Sequence, residues 1–455
     1  MRLNKRTKIV LFFVFWLALA ALFITPADNA TPEQSEYHAR QMTEIRHRLA
    51  RMSVASDSLP VHAGWSRVPL VPPFTTPIAI DAHRGGKHFA CVQDSIYVRA
   101  VVFKQGNTKV AYISADLLII PPLAARLADS LLHPYGYRET CLYYTATHTH
   151  SSIGGWADSY VGERFAGTYD PRVPAFIAQQ ICSAVLNAER KCSKVSVGFA
   201  EAPAPRLVYN RLVTDMAKLP DSCGTVDSML RIIKLRNDNG ETAAIVVFSA
   251  HNTVYHQSMM CLSGDWSGEM MRLTECDRTL DFCSFSAGSV ASHGPYPVPG
   301  GEDVQLQYMA AGTAKIVKAC IDTLAVQPVF RLACTTIPLY LRSPQIRLNR
   351  WFSLRPWLFY RFAGRDKPVV RVLQLGDLRM IGLPCDFSGE ITIVLRAKYP
   401  SQRFLITDFN GGYIGYVVHP RHENLRTYET KTMNWFGPGS GRYMMQIIET
   451  ILAAD

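Results

Sequence analysis

Three histidines carry side chains that could hold a divalent metal. His148 and His150 lie in the run Thr147-His148-Thr149-His150, and His251 closes the run Val246-Val247-Phe248-Ser249-Ala250-His251. Both runs follow apolar stretches of strand character. If the first strand carried on through the pair, positions i and i+2 would face the same way and offer two imidazoles to one ion. An isolated His-x-His serves equally well as a pair of hydrogen-bonded histidines, so the spacing alone leaves both readings open. Ser151, Ser152, Gly154 and Gly155 follow as a turn where a substrate could approach the backbone. After His251, the turn Ser263-Gly264-Asp265 brings a carboxylate.

Two later segments add oxygen donors. In Leu383-Pro384-Cys385-Asp386-Phe387-Ser388 a carboxylate leaves a strand and opens a helix. That position reads first as a helix N-cap, with metal ligation as the alternative. The glycine-rich run from Asn410 to Tyr416 presents Tyr413 and Tyr416, and Tyr428-Glu429 follow. Buried tyrosines usually need no more than a hydroxyl partner, so chemistry alone gives these phenols no role.

Alternating elements must position these groups. Residues 95–103, 110–115, 142–147, 195–200, 230–235, 243–249 and 404–407 read as strands, rich in β-branched residues. Residues 121–133, 174–190, 388–398 and 439–452 read as helices, as does a long segment from Asp303 to Thr323. A hairpin is expected to turn at Gly376-Asp377. The alternation predicts an α/β fold: a single large domain of mixed β-sheets with surrounding helices over residues 61–455. Residues 31–60 read as a polar, partly helical stalk.

The first 30 residues read as a signal peptide or signal anchor. Arg2, Lys5, Arg6 and Lys8 precede an unbroken apolar run over residues 9–24. Positive charge on the short side sends the rest of the chain across the membrane. The domain is therefore expected to be exported, either periplasmic or extracellular, or membrane-anchored through residues 9–24. A cut after Ala30 and retention of the segment are both open. With 48% hydrophobic and 19% charged residues the chain is globular rather than disordered. Its net charge of +11 favours anionic surfaces, and no nucleic-acid-binding motif accompanies it, which points to a membrane surface. Residues 349–362 mix aromatics with arginines, which suits either an interfacial patch or an insertion packed on the core. None of the 11 cysteines forms a Cys-x-x-Cys pair, and Cys276 and Cys283 are the candidates for a disulfide. Oligomeric state has no signature here.

Read together, the segments resemble the neutral/alkaline, non-lysosomal ceramidase family from about Ala63 to the C-terminus. The similarity rests on Ala63-Gly64-Trp65, on residues 94–100, on Thr147-His148-Thr149-His150-Ser151, and on Asn210-Arg211, His251, Tyr416 and Tyr428. It implies a zinc-dependent amidohydrolase that cleaves ceramide-like N-acyl lipids with a metal-activated water. It also implies that His148, His251, Asp386 and Tyr416 hold Zn2+, while His150, Arg211 and Tyr428 act on the reacting groups. Asp386 stands where the family has a glutamate. Ala291 stands in register with a family serine, leaving the adjacent Ser292 as the candidate hydroxyl. The family's C-terminal β-sandwich has no counterpart here. These departures keep two other readings in play: a degenerate member that binds lipid without catalysis, and a metal hydrolase of non-lipid amides or esters.

Overall fold

The computed structural model describes residues 4–52, 59–80, 86–212 and 225–454. Its helices are α1 (Lys5–Phe23), α2 (Glu36–Ala50), α3 (Pro122–Leu132), α4 (Tyr160–Ala166), α5 (Arg172–Arg190), α6 (Asp265–Cys276), α7 (Glu302–Thr323), α8 (Pro356–Ala363), α9 (Gly389–Lys398) and α10 (Ser440–Leu452).

A nine-stranded mixed sheet forms the centre. Across it run Phe282–Ala287, Thr242–Phe248, Met229–Asn237, Ser193–Pro203, His62–Pro69, Tyr97–Gln105, Thr108–Ala115 and Leu142–Ala146, with Gln327–Pro328 added at Ser193–Pro203. The two outer pairings are parallel and those between them antiparallel. A second sheet joins Leu332–Pro338, Val369–Leu375, Leu378–Gly382 and Arg403–Thr407. Its middle two strands form the hairpin expected at Gly376-Asp377, with Leu375 opposite Leu378.

Most central strands are buried on both faces, which explains their nearly continuous apolar runs. One face of the large sheet packs against α3 and α5, and its far half against α6 and α7. The other face packs against the second sheet through Phe103, Tyr112, Ile233, Ile245 and Val247 on one side and Leu373, Leu378, Met380 and Leu405 on the other. The second sheet's outer face is covered by α2, α9 and α10. The architecture is thus four layers: helices, sheet, sheet, helices. A Tyr143 hydroxyl bonded to Thr407 at 2.7 Å ties the two sheets together.

The mixed α/β single domain agrees with the sequence expectation, and the long helix starts at Glu302, one residue before Asp303. The helix within the segment read as a stalk lies on the domain, with Ile45 fully buried and Met42 nearly so. The cysteine expectation fails. Disulfides join Cys91 to Cys261 and Cys141 to Cys334, while Cys276 and Cys283 are unpaired. Cys276 ends α6 at the surface and Cys283 is buried within a strand, so secondary structure holds the two apart.

Candidate metal centre

The candidate residues gather just beyond strand ends. Leu142–Ala146 stops two residues before His148, so the pair does not lie on a strand. Its rings meet by another route. His148 adopts a left-handed backbone conformation with φ of 62°, and the turn brings His150 Nε2 to 3.4 Å from His148 Nε2. A non-glycine residue holds such a conformation only when its surroundings demand it. Here His148 Nδ1 bonds to the Leu118 carbonyl at 2.6 Å. Its ring also stacks on Phe409, with centroids 4.1 Å apart and planes within 7°; Phe409 is itself left-handed, with φ of 65°.

His251 follows the strand Thr242–Phe248, and its Nδ1 faces the carbonyls of Val290 at 2.8 Å and His293 at 3.1 Å. A carbonyl only accepts, so Nδ1 carries the proton in His148 and His251 alike. Each Nε2 lone pair is left for the centre. Burial lowers both pKa values, that of His148 to about 3 and that of His251 well below the ordinary histidine value, with Arg211 adding to the second. Both rings are neutral at physiological pH, the form a metal requires.

Asp386 and Tyr416 arrive together. They are register partners in a two-residue parallel ladder, Asp386–Phe387 with Tyr416–Val417, which sets carboxylate beside phenol. The N-cap of α9 is Ser388, so the capping reading of Asp386 fails. Its side chain is fully buried, with Oδ1 lying 3.5 Å from His148 Nε2 and 3.6 Å from His251 Nε2. The Tyr416 hydroxyl lies 3.4 Å from His251 Nε2. Tetrahedral bonds of about 2.0–2.2 Å put neighbouring donors about 3.3–3.6 Å apart, so these separations fit a zinc-sized ion. Asp386 Oδ1 accepts no hydrogen bond although it is buried, the signature of a missing cationic partner. Burial raises the Asp386 pKa to about 7, against the pull of Tyr413 and Arg211. A bound cation would restore the carboxylate. The ligand atoms of His148, His150 and His251 lie within 4.8 Å of one another, so His150 is also within reach of the same ion.

The remaining candidates surround this core. The Arg211 guanidinium lies 5.6 Å from the Tyr416 ring centre, pairs with Glu429 at 3.1 Å, and donates from Nε to the Ala291 carbonyl. Tyr428 is half exposed, with its ring centre 5.8 Å from that of Tyr416. Ala291 packs with Tyr416 and Met433, so the position in register with the family serine is the one beside the centre. Ser292 is fully buried and directed elsewhere. The Asp227 backbone N–H donates to His293 Nε2, so Nδ1 holds the proton and donates to Ser292 Oγ at 2.8 Å. His293 thus gives Ser292 a hydrogen bond and cannot act as its base.

Sequence reasoning left out three supports. Tyr413 donates to Asp386 Oδ2 at 2.7 Å and so leaves Oδ1 for the centre. Asp408 is buried, and its Oδ2 accepts from the backbone N–H groups of Phe387 and Val290. It thereby fixes both the segment that carries Asp386 and the carbonyl that orients His251. Phe409 is the platform under His148. The run Thr407-Asp408-Phe409-Asn410, polar groups directly after an apolar strand, was the only signal for the last two.

A cavity of about 980 Å³ leads from the centre to the surface. His148, His150, Tyr413, Tyr416 and Tyr428 line its floor, and apolar groups such as Leu118, Ile119, Trp156, Phe165, Phe359 and Trp435 line its walls. A few polar groups at the base of an apolar cleft are the usual design of a site for a largely apolar molecule.

Residues 87–293 match the sequence model of the family described as neutral/alkaline non-lysosomal ceramidase, N-terminal. The chain is a relative of the neutral/alkaline ceramidases. The match takes in His148, His150, Arg211, His251 and Ser292; Asp386, Tyr416 and Tyr428 lie beyond it. Among solved structures, the crystal structure of neutral ceramidase from Pseudomonas aeruginosa is similar at a TM-score of 0.73 and 16% identity, covering 87% of this chain and 75% of that one. A ceramidase complexed with C2 is similar at a TM-score of 0.72 and 16% identity, with the same coverage. At such identity the likeness shows a shared ceramidase fold. No curated protein sequence matches the chain significantly.

Proposed function

We propose that the protein is an exported zinc-dependent amidohydrolase that cleaves the amide bond of ceramide-like N-acyl lipids. The observation that carries this reading is the buried Asp386 Oδ1, without a hydrogen bond and 3.5–3.6 Å from two Nε2 atoms already fixed as lone-pair donors. His148, His251, Asp386 and Tyr416 would hold the metal, and the mixed nitrogen and oxygen donors suit zinc. Bound there, the ion would supply Lewis-acid character to the reacting oxygens. His150, on the cavity floor, would exchange a proton with the reacting group or the departing amine. Arg211 and Tyr428 would meet the negative charge that develops on the carbonyl oxygen. Glu429 holds Arg211 in reach of that position. The apolar walls would take the acyl chain and exclude water. Such a route needs no serine nucleophile, so Ala291 and the occupied Ser292 do not interrupt it.

The test joins metal content to lipid turnover. Purified protein should contain about one zinc per chain and release fatty acid from a panel of N-acyl lipids. His148→Ala and His251→Ala should each remove both properties. Full activity in either variant would sink the proposal. Zinc with no lipid turnover, but with turnover of soluble amides or esters, would favour the non-lipid hydrolase. Lipid binding without any turnover would favour the degenerate member, the reading to which Ala291 points.

A further inference from the structure

The N-terminal helix is joined to the domain without a free linker, and it meets the domain on the wall of the cavity. α1 has 19 residues, a mean hydropathy of 1.9 and no buried residue. At 1.5 Å per residue it is about 28 Å long, close to the roughly 30 Å hydrocarbon core of a bilayer. Directly after it, Ile24–Pro26 pairs antiparallel with Phe352–Leu354. The Arg355 backbone N–H donates to the Phe23 carbonyl, Arg355 Nε to Ala21 and Trp357 Nε1 to Leu22, at 2.6–3.0 Å. Further on, the Asp28 carboxylate pairs with Arg342 at 2.7 Å, while its backbone N–H and carbonyl both bond to the Gln345 amide. Residues 21–28 are therefore part of the fold, and a cut after Ala30 would remove every one of these contacts.

The receiving segment shows a second, independent feature. Trp351 is 61% exposed, and Phe352, Trp357 and Phe362 are 44–47% exposed, with Arg350 and Arg361 alongside. No residue of α8 is buried. Aromatics mixed with arginines suit the headgroup layer of a membrane, where an apolar ring and a polar edge are both satisfied. The same short helix lines the cavity with Phe359, Tyr360 and Arg361, and the exposed Tyr160 closes on it through a ring contact with Phe362.

We propose that α1 is retained as a bilayer anchor and that Trp351, Phe352 and Trp357 lie in the same interface, so that the cavity opens at the membrane surface beside α8. The membrane is the occupant of this face because the spanning helix runs directly into it. Use of the opening for lipid entry rests on the hydrolase reading above; the anchoring does not.

Three measurements on the full chain test this. Intact mass of protein extracted from membranes should retain residues 9–24, and a mature chain starting at Thr31 would overturn the anchor. In vesicles of brominated phosphatidylcholine, wild type should lose a larger fraction of its tryptophan fluorescence than Trp351→Phe/Trp357→Phe; equal quenching would overturn the interfacial face. Trp351→Ser/Trp357→Ser should lower turnover of N-acyl lipid in vesicles at least tenfold and leave a soluble short-chain amide unaffected. An equal loss on both substrates would overturn the entry role. Hydrolysis of neither by wild type would sink the hydrolase reading together with that role, while mass and quenching would still decide the anchoring.

Discussion

At the scale of single residues, the centre depends on groups that fix one atom so that another is left available. Tyr413 is the clearest case, since it occupies one Asp386 oxygen and leaves the other bare. Tyr413→Phe should keep the fold and weaken zinc binding about 10–100-fold, as measured by competition with a chelator. An unchanged affinity would show that Asp386 does not depend on this bond. Asp116 gives a prediction away from the centre. Burial raises its pKa from 3.8 to about 6 in the folded chain, while its Oδ2 accepts from the Tyr97 N–H. Between those two values the folded state keeps a proton that the unfolded chain has released. Stability from this group is thus lost as pH rises from about 4 to 6, by up to about 3 kcal/mol. Asp116→Asn should gain stability relative to wild type as pH rises through that window, read from urea midpoints. The histidines were legible because imidazoles after apolar strands are rare enough to notice. Asp408 was not, because a buried acid that accepts only backbone N–H groups looks in sequence like any turn aspartate.

At the scale of elements, the positioning is done by very short pieces. Asp386 and Tyr416 meet through a two-residue ladder, and Gly415 makes the approach possible. Its φ is 83°, and a Cβ there would stand 2.2 Å from the Met433 carbonyl oxygen. Gly415→Ala should cost at least about 2 kcal/mol, from strain and overlap together, and should weaken zinc binding. Gly240→Ala is the control, since its φ is 87° but nothing lies within 4 Å of the added carbon. It should show the smaller cost of strain alone and leave zinc affinity unchanged; denaturant midpoints and chelator competition read both. The long helices and the central strands could be located from their apolar periods, often to within two residues. The ladder could not, because two residues carry no period. For the same reason Asp386 read as a cap: a carboxylate just before a helix has that role more often than any other.

At the scale of the whole molecule, the two sheets must dock before the centre exists. His148 and His251 follow strands of the large sheet, whereas Asp386 and Asp408 follow strands of the second. The disulfide between Cys141 and Cys334 bridges the same junction. Cys141→Ser/Cys334→Ser should lower stability by about 2–5 kcal/mol, measured as a shift in denaturation midpoint under non-reducing conditions. No midpoint shift would mean that packing alone secures the junction. The sequence revealed the layers' composition but not their stacking, because a strand buried on both faces does not disclose which neighbour lies on each.

The left-handed turn at His148 has a consequence for the order in which the site is made. The ring's platform, Phe409, comes from the second sheet and from far along the chain. Before that ring arrives, little compensates His148 for its unfavourable backbone, and the relaxed turn would aim its nitrogen elsewhere. Hydrolytic competence is then a late event, withheld from the nascent chain until both halves have met. A protein that crosses a membrane unfolded would gain from such a delay: its catalyst is assembled only at its destination.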